Sequence, residues 1–206
     1  MQVPLECLVV VSGWGGVVTT SSNYRMIKNW LRIKDKVLSE TRILSLVEVL
    51  DRSPYNNKEH AFSVIASPDW VNLVPVTDQG EIVMIRQYRH GSQQVTLEIP
   101  GGMIDAGEEP VAAAMRECQE ETGYIADHVS PLGVLNPNPA LFGNRLHTFF
   151  GHVVDIDEKI QVSETEKTDV ELVPVSQIRR HLLDGTIDHA LVCATLWRFL
   201  DQWDKR

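Results

Sequence analysis

An acidic helix that follows a pair of glycines is the feature of this sequence that most restricts its fold. A proline in the first turn and Gly123 after the last turn predict a helix over residues 110–122. Within this helix Glu117, Glu120 and Glu121 fall at positions i, i+3 and i+4. This spacing predicts three carboxylates on one face of the helix.

Three neighbouring carboxylates repel one another, by roughly a few tenths of a kcal/mol per pair on a solvated helix. Mg²⁺ compensates such charge naturally, because it binds carboxylate and phosphate oxygens. Gly101 and Gly102, which precede the helix, have no Cβ and allow the backbone to approach a ligand closely. The pattern therefore favours a metal and phosphate site, and the alternative is an exposed acidic helix after an ordinary turn.

The spacing from Gly102 to Tyr124 resembles the Nudix box, Gly-x5-Glu-x7-Arg-Glu-U-x-Glu-Glu-x-Gly-U, in which U is an apolar residue. All its specified residue types are present: Gly102, Glu108, Arg116, Glu117, Glu120, Glu121 and Gly123. Cys118 occupies the first apolar position and is expected to be a small buried group.

The resemblance implies an α+β fold, an α/β/α sandwich around a mixed sheet. It also implies metal-dependent hydrolysis of a nucleoside diphosphate linked to another group, with Mg²⁺ as cofactor and Mn²⁺ as a substitute. The implied metal ligands are the Gly101 carbonyl, Glu117, Glu120 and Glu121, and Glu120 and Glu121 are also expected to be catalytic. The residues with an implied structural role are Gly102, Glu108, Arg116 and Gly123. Arg116 would act by ion pairing, and Glu108 would orient the helix or reach a second metal.

Two segments outside the box resemble the branch of ADP-ribose and nucleotide-sugar pyrophosphatases. They are Arg-Gln-Tyr-Arg at 86–89 and Leu-Glu-Ile-Pro-Gly-Gly at 97–102. Pro139 matches a proline that this branch carries beyond the box, although Ala140 replaces the glycine that often follows it.

The branch resemblance implies four substrate-binding residues: Arg86, Arg89, Glu98 and Pro139. Because Arg86 and Arg89 are three positions apart, they are predicted to point to opposite faces of a strand. One of them is expected to bind substrate phosphate or ribose, and the other to pair at an interface. The catalytic base of this branch is a loop glutamate, for which Glu166 is the first choice and Glu164 the second; the alternative for both is a solvated run of charges.

Short strand-like runs and helical segments divide the chain into three parts. Residues 1–25 are expected to form a flexible extension, 26–66 a β-rich segment with antiparallel strands, and 67–206 the catalytic domain. The strands are predicted at 42–50, 61–66, 71–76, 81–87, 133–135, 146–154 and 169–175, and two further helices at 176–183 and 189–203. Strands and helices in this order favour an α+β fold.

The acidic composition limits the partners of the chain. Its 206 residues include 19 basic and 28 acidic residues, for a net charge of −9, so binding to nucleic acid or to an anionic membrane is not expected. Three widely spaced cysteines favour a reducing compartment, and hence the cytoplasm. The branch resemblance implies a homodimer in which the N-terminal strands of each subunit help to form the other's site.

The function predicted from the resemblance is hydrolysis of ADP-ribose or another nucleoside diphosphate sugar to a nucleoside monophosphate and a sugar phosphate. A second hypothesis is hydrolysis of nucleoside triphosphates, of other nucleotide diphosphate derivatives or of an RNA cap. The branch motifs disfavour the triphosphates and the cap. Cap hydrolysis is disfavoured further by the net negative charge. A third hypothesis is a non-catalytic nucleotide sensor, which is disfavoured because all the glutamates of the box are present.

Overall fold

A computed structural model describes residues 27–157 and 167–205. Its elements in chain order are β1 (Leu31–Glu40), β2 (Ser45–Arg52), β3 (Glu59–Ala66), β4 (Trp70–Val76), β5 (Glu81–Arg89), β6 (Gln94–Glu98), β7 (Gly101–Met103), α1 (Pro110–Thr122), β8 (Tyr124–Leu135), β9 (Leu146–Ile156), β10 (Thr168–Pro174), α2 (Val175–Asp184) and α3 (Ala190–Trp203). The predicted extension at 1–25 lies outside the described residues, as do Glu164 and Glu166.

The larger sheet has seven strands and a mixed direction. Its main order is β10-β5-β4-β9-β8, while β6 pairs with β5 and β7 pairs with β4. The strands β4 and β9 are parallel, whereas the other pairs of this sheet are antiparallel. The predicted α+β fold with a mixed sheet is thus confirmed.

Helices cover both faces of this sheet because apolar side chains alternate along its central strands. Leu73 belongs to a buried cluster with Cys118 of α1, whereas its neighbour Val74 belongs to a second cluster with Leu196 of α3. Adjacent strand residues point to opposite faces, so one strand serves both cores. The α/β/α sandwich is confirmed, and Cys118 is fully buried as expected.

A separate three-stranded antiparallel sheet precedes the sandwich, in the order β1-β2-β3. Every residue of β1 is exposed, which leaves large apolar side chains such as Val37 in contact with solvent. The amide of Ile65 in β3 donates to the carbonyl of Leu141 in the loop between β8 and β9, 2.7 Å away. These strands confirm the predicted antiparallel segment.

The helix that carries the acidic residues begins and ends where its sequence indicates. Pro110 occupies its first turn, and Gly123 follows its last turn with φ 77°. This left-handed conformation favours glycine, and the Gly123 amide donates to the Gln119 carbonyl at 2.8 Å. Among the described residues, no helix is long and apolar enough to cross a membrane.

Candidate active site

The glycine strand β7 lies directly against the acidic face of α1. A Cβ added to Gly102 would come within 2.4 Å of Glu117 Oε1, so only glycine leaves room for this carboxylate. The Gly101 amide donates to Glu121 Oε2 at 2.9 Å. Pairing of Val71 with Gly102 holds β7 in register on the central strand β4. The sheet and the helix therefore bring Gly101 and Gly102 together with two of the predicted metal ligands.

The Glu121 carboxyl is held in a poorly solvated position. Burial raises its pKa to about 8, and the charge of Glu117 acts in the same direction, while the hydrogen bond from Gly101 opposes the rise. Desolvation disfavours the charged form of a carboxyl unless a cation or a donor compensates. A bound cation would offset this cost.

Arg116 binds three of the carboxylates of the box. Its guanidinium bonds both oxygens of Glu108 at 2.9 Å and also contacts Glu117 and Glu120, each at 2.9 Å. A further bond of 3.1 Å reaches the Met103 carbonyl. Hydrogen bonding by Arg116 lowers the pKa of Glu108, and the same contacts raise the pKa of Arg116.

The predicted ligands carry oxygen atoms that suit a hard divalent cation, although their side chains do not converge on a single position. Three carboxylates and a backbone carbonyl are the oxygen ligands that such ions prefer. In residues 27–157 and 167–205, however, no three His, Cys, Asp or Glu side chains are gathered closely enough to hold a metal ion. The Glu120 side chain is 59% exposed and contacts Arg116, so a shared cation would require a change of side-chain rotamer.

An ion pair between β5 and β6 adjoins the carboxylates. Arg89 donates from Nε and Nη2 to the two oxygens of Glu98, both at 2.7 Å. Thr96 donates to the same carboxylate at 2.5 Å. Burial alone would raise the pKa of Glu98, but the hydrogen bonds and charge of Arg89 outweigh it and keep the pKa below its usual range. The charges of Arg89 and Glu98 both influence Glu121, which places the pair beside the box.

Other predicted site residues lie away from this cluster. Arg86 pairs with Glu171 at 2.7 Å and points to the sheet face opposite Arg89, as their spacing requires. Pro139 is an exposed residue of the loop between β8 and β9.

Neither a role for Gln87 nor the pairing of His147 with Asp69 was predicted from the sequence. Gln87 shares a sheet face with Arg89 and is 8% exposed. Its place between Arg86 and Arg89 in the branch motif was the available signal. His147 lies on β9, and its Nε2 is 3.1 Å from Oδ2 of Asp69, the residue that precedes β4. This pair comes from distant parts of the sequence, so spacing gave no signal for it.

Comparison with known proteins identifies the family. The model of the NUDIX domain matches residues 66–195. The chain belongs to the NUDIX family. The ADP-ribose pyrophosphatase of Bacillus subtilis (strain 168) is 32% identical over 116 residues, which are 56% of this chain and 63% of that protein. The putative nudix hydrolase 2 of Caenorhabditis elegans is 35% identical over 147 residues, 65% of this chain and 64% of that protein.

Structural comparison agrees with this assignment of the fold. A crystal structure of an ADP compounds hydrolase superimposes with a TM-score of 0.74 at 21% identity, covering 87% of this chain and 96% of the other. The matched region spans less than two thirds of each of the two curated relatives. The predicted resemblance to the Nudix family and to its ADP-ribose pyrophosphatases is confirmed. Nudix hydrolases in general use divalent metal ions.

Proposed function

We propose that the chain is a Mg²⁺-dependent pyrophosphohydrolase that cleaves ADP-ribose or another nucleoside diphosphate sugar. Its products would be a nucleoside monophosphate and a sugar phosphate. The observation that carries the proposal is the contact of Gly101 and Gly102 with Glu121 and Glu117. Similarity to proteins named ADP-ribose pyrophosphatase supports this substrate class.

Each residue of the box has a role in this proposal. Glu117, Glu120, Glu121 and the Gly101 carbonyl would hold Mg²⁺, for which Mn²⁺ could substitute. A bound divalent cation supplies charge neutralisation for the diphosphate and lowers the pKa of water. Arg116, which Glu108 binds, would fix Glu117 and Glu120. Gly102 would leave room for Glu117, and Gly123 would end the helix. Glu120 and Glu121 would also take part in catalysis.

The substrate would bind beside the ion pair of β5 and β6. Arg89 is 40% exposed even while it bonds Glu98, so its guanidinium can face a phosphate or ribose of the substrate. Glu98, which is 2% exposed, would contribute to substrate binding indirectly, because it fixes the orientation of the Arg89 guanidinium. Arg86 would be the arginine that pairs at an interface, and Pro139 would shape the loop at the sugar end. For the catalytic base, Glu166 remains the first choice and Glu164 the second.

A substrate panel tests the proposed function. Purified protein is incubated with Mg²⁺ and ADP-ribose, other nucleoside diphosphate sugars, nucleoside triphosphates or capped RNA, and the phosphomonoester products are separated by chromatography. We expect nucleoside monophosphate from the sugars, at a rate at least about 100-fold lower in the matched variant Glu121→Gln. Cleavage of triphosphates with the sugars untouched would overturn the substrate class, and nucleotide binding without any turnover would indicate a sensor.

We also propose a homodimer formed through the β-rich segment 26–66, with 67–206 as the catalytic domain. The exposed apolar residues of β1, such as Leu31 and Val37, support this interface because large apolar groups favour burial against a partner. Light scattering should give a dimer for the wild type and a monomer for the double variant Leu31→Glu/Val37→Glu. The matched control Lys36→Glu changes an exposed polar residue of the same strand and should remain dimeric. A wild-type monomer would contradict the proposal.

The proposed compartment is the cytoplasm. Cys118 and Cys193 are free thiols, and burial raises the pKa of the Cys118 thiol to about 12, which keeps it in the unreactive form. Free thiols are typical of reducing compartments. Fractionation of cells that produce the chain should recover it with the cytosolic markers.

A further inference from the structure

A buried side-chain oxygen without a hydrogen-bond partner lies on β5, the strand that also carries Arg89. Gln87 is 92% buried, since its relative exposure is 8%. Its Oε1 atom has no hydrogen-bond donor in the part of the chain that the structure describes. A buried polar atom without a partner costs about 1–3 kcal/mol, so such atoms are retained where a ligand or water completes them.

The neighbours of Gln87 explain why no donor reaches it. In the sheet it is paired with Thr168 on one side and Thr96 on the other. The Thr168 hydroxyl donates to the Glu121 carbonyl at 2.6 Å. The Thr96 hydroxyl lies 2.5 Å from Glu98 Oε1 and 3.3 Å from the backbone carbonyl of Gln87 itself. Both flanking hydroxyl protons are therefore committed to other acceptors.

The same contacts place the Gln87 side chain on the sheet face that adjoins the proposed site. It points to the sheet face that carries Arg89 and Glu98, and the hydroxyl beside it bonds the helix at Glu121. An apolar residue would satisfy this buried position at lower cost to stability. A polar group that costs stability at a site of reaction indicates a functional requirement.

We infer that Gln87 is a positioning residue whose carboxamide oxygen accepts a hydrogen bond from the water consumed in the reaction. The inference rests on the proposed function. In that reaction the water oxygen bonds to one phosphorus, the bridging P–O bond breaks, and the bridging oxygen leaves with the other phosphate. The water releases one proton, which an amide does not take up, so Gln87 orients this water and a carboxylate accepts the proton.

Two apolar variants, Gln87→Met and Gln87→Leu, test the inference through stability and kinetics together. In chelator without substrate, both should melt at or above the wild-type temperature, because an unsatisfied buried oxygen is removed. With Mg²⁺ and ADP-ribose, kcat should fall about 10- to 100-fold, the usual loss for an outer positioning group, while KM stays unchanged. The control Gln177→Met replaces an exposed glutamine of α2 and should leave both properties unchanged.

Each opposite result overturns the inference. Wild-type kcat in both variants would show that the amide does not act in the reaction. Lower melting of both variants would show that the amide stabilises the fold, and a rise in KM at constant kcat would show that it binds substrate. Failure of the proposed function looks different, because the wild type itself would then not cleave nucleotide sugars. If the wild type cleaves triphosphates instead, the same variants are compared on that substrate.

Discussion

The two adjacent glycines of β7 should respond in opposite ways to the addition of a single methyl group. At Gly102 a Cβ would lie 2.4 Å from Glu117 Oε1 and 2.5 Å from its Cδ, whereas ordinary contacts begin at 3.4 Å. The carboxylate must therefore retreat by about 1 Å, and a displacement of this size near reacting groups can cost about 100-fold in rate. That loss corresponds to about 2.7 kcal/mol of transition-state stabilisation.

The fold should tolerate Gly102→Ala because the obstacle is the end of a flexible side chain. A strained rotamer costs roughly 0.5–1.5 kcal/mol, and Arg116 keeps its bonds to Glu108 and Glu120. At Gly101 the obstacle is backbone, since a Cβ would lie 2.2 Å from the Val71 carbonyl oxygen. Overpacking the central strand costs about 3 kcal/mol, which is roughly 6–12 °C in Tm for a chain of this size.

Thermal unfolding in chelator and initial rates with Mg²⁺ and ADP-ribose separate the two effects. Gly102→Ala should melt roughly 2–4 °C below the wild type, which is the shift that one kcal/mol represents, and it should lose most of its activity. Gly101→Ala should melt far lower. The control Gly91→Ala meets no atom within 4 Å and should resemble the wild type. Full activity in Gly102→Ala, or melting as low as that of Gly101→Ala, would refute this reasoning.

Three further predictions concern charge and metal. Glu121→Gln should lower kcat by about 10²- to 10³-fold, the range for a lost transition-state contact. It should not lower Tm in chelator, because burial raises the pKa of Glu121 to about 8 and a neutral amide then replaces a carboxyl that is already mostly neutral at pH 7; unfolding of the variant would contradict this. Glu98→Gln should cost about 2 kcal/mol at pH 7, below the usual loss for a broken buried pair because Arg89 is 40% exposed. The pKa of Glu98 is lowered on folding, so its stabilising effect is present above the ordinary carboxyl value of 4.5 and is lost as the pH falls through the lower folded value. Acid titration of the wild type and the variant should therefore show their free energies of unfolding converging. A constant difference would exclude the ion pair. Excess chelator should abolish hydrolysis and Mg²⁺ should restore it, and undiminished activity in chelator would count against the metal site.

Residues that favour the start or the end of a helix made the helices predictable from the sequence. A proline and a glycine fix the ends of α1, and the predicted 110–122 is the observed Pro110–Thr122. For α2 and α3 the predicted limits are within one residue of those observed. These limits depend on backbone conformations that few residues adopt, so no tertiary information is needed.

Several strands escaped prediction because their structure depends on pairing rather than on composition. Strand β7 consists of Gly101–Met103, and glycine disfavours strands unless a neighbour holds them in place. Strand β8 was predicted only at 133–135, since its register shifts and the positive φ of His128 interrupt the alternation. Strand β1 alternates poorly and is exposed throughout.

The candidate site was likewise predictable where its residues belong to one element, and not where they come from different strands. Spacing alone placed Glu117, Glu120 and Glu121 on one helix face, because that relation is fixed within a single element. The bond between Arg89 and Glu98 depends on the register of β5 with β6, which spacing along the chain does not determine. The unpartnered oxygen of Gln87 depends on neighbours in two other strands whose hydroxyls donate elsewhere, and spacing along the chain does not determine these contacts.

The parallel pairing of β4 with β9 has a consequence for synthesis of the protein on the ribosome. Trp70 aligns with Leu146, so the middle of the sheet closes only after a long intervening stretch of chain has emerged. Contacts between distant positions form slowly because chain entropy opposes them. A nascent chain that ends before residue 146 contains every glutamate of the box but lacks the strand that flanks β4. We therefore expect hydrolytic competence to arise late, after translation has passed β9.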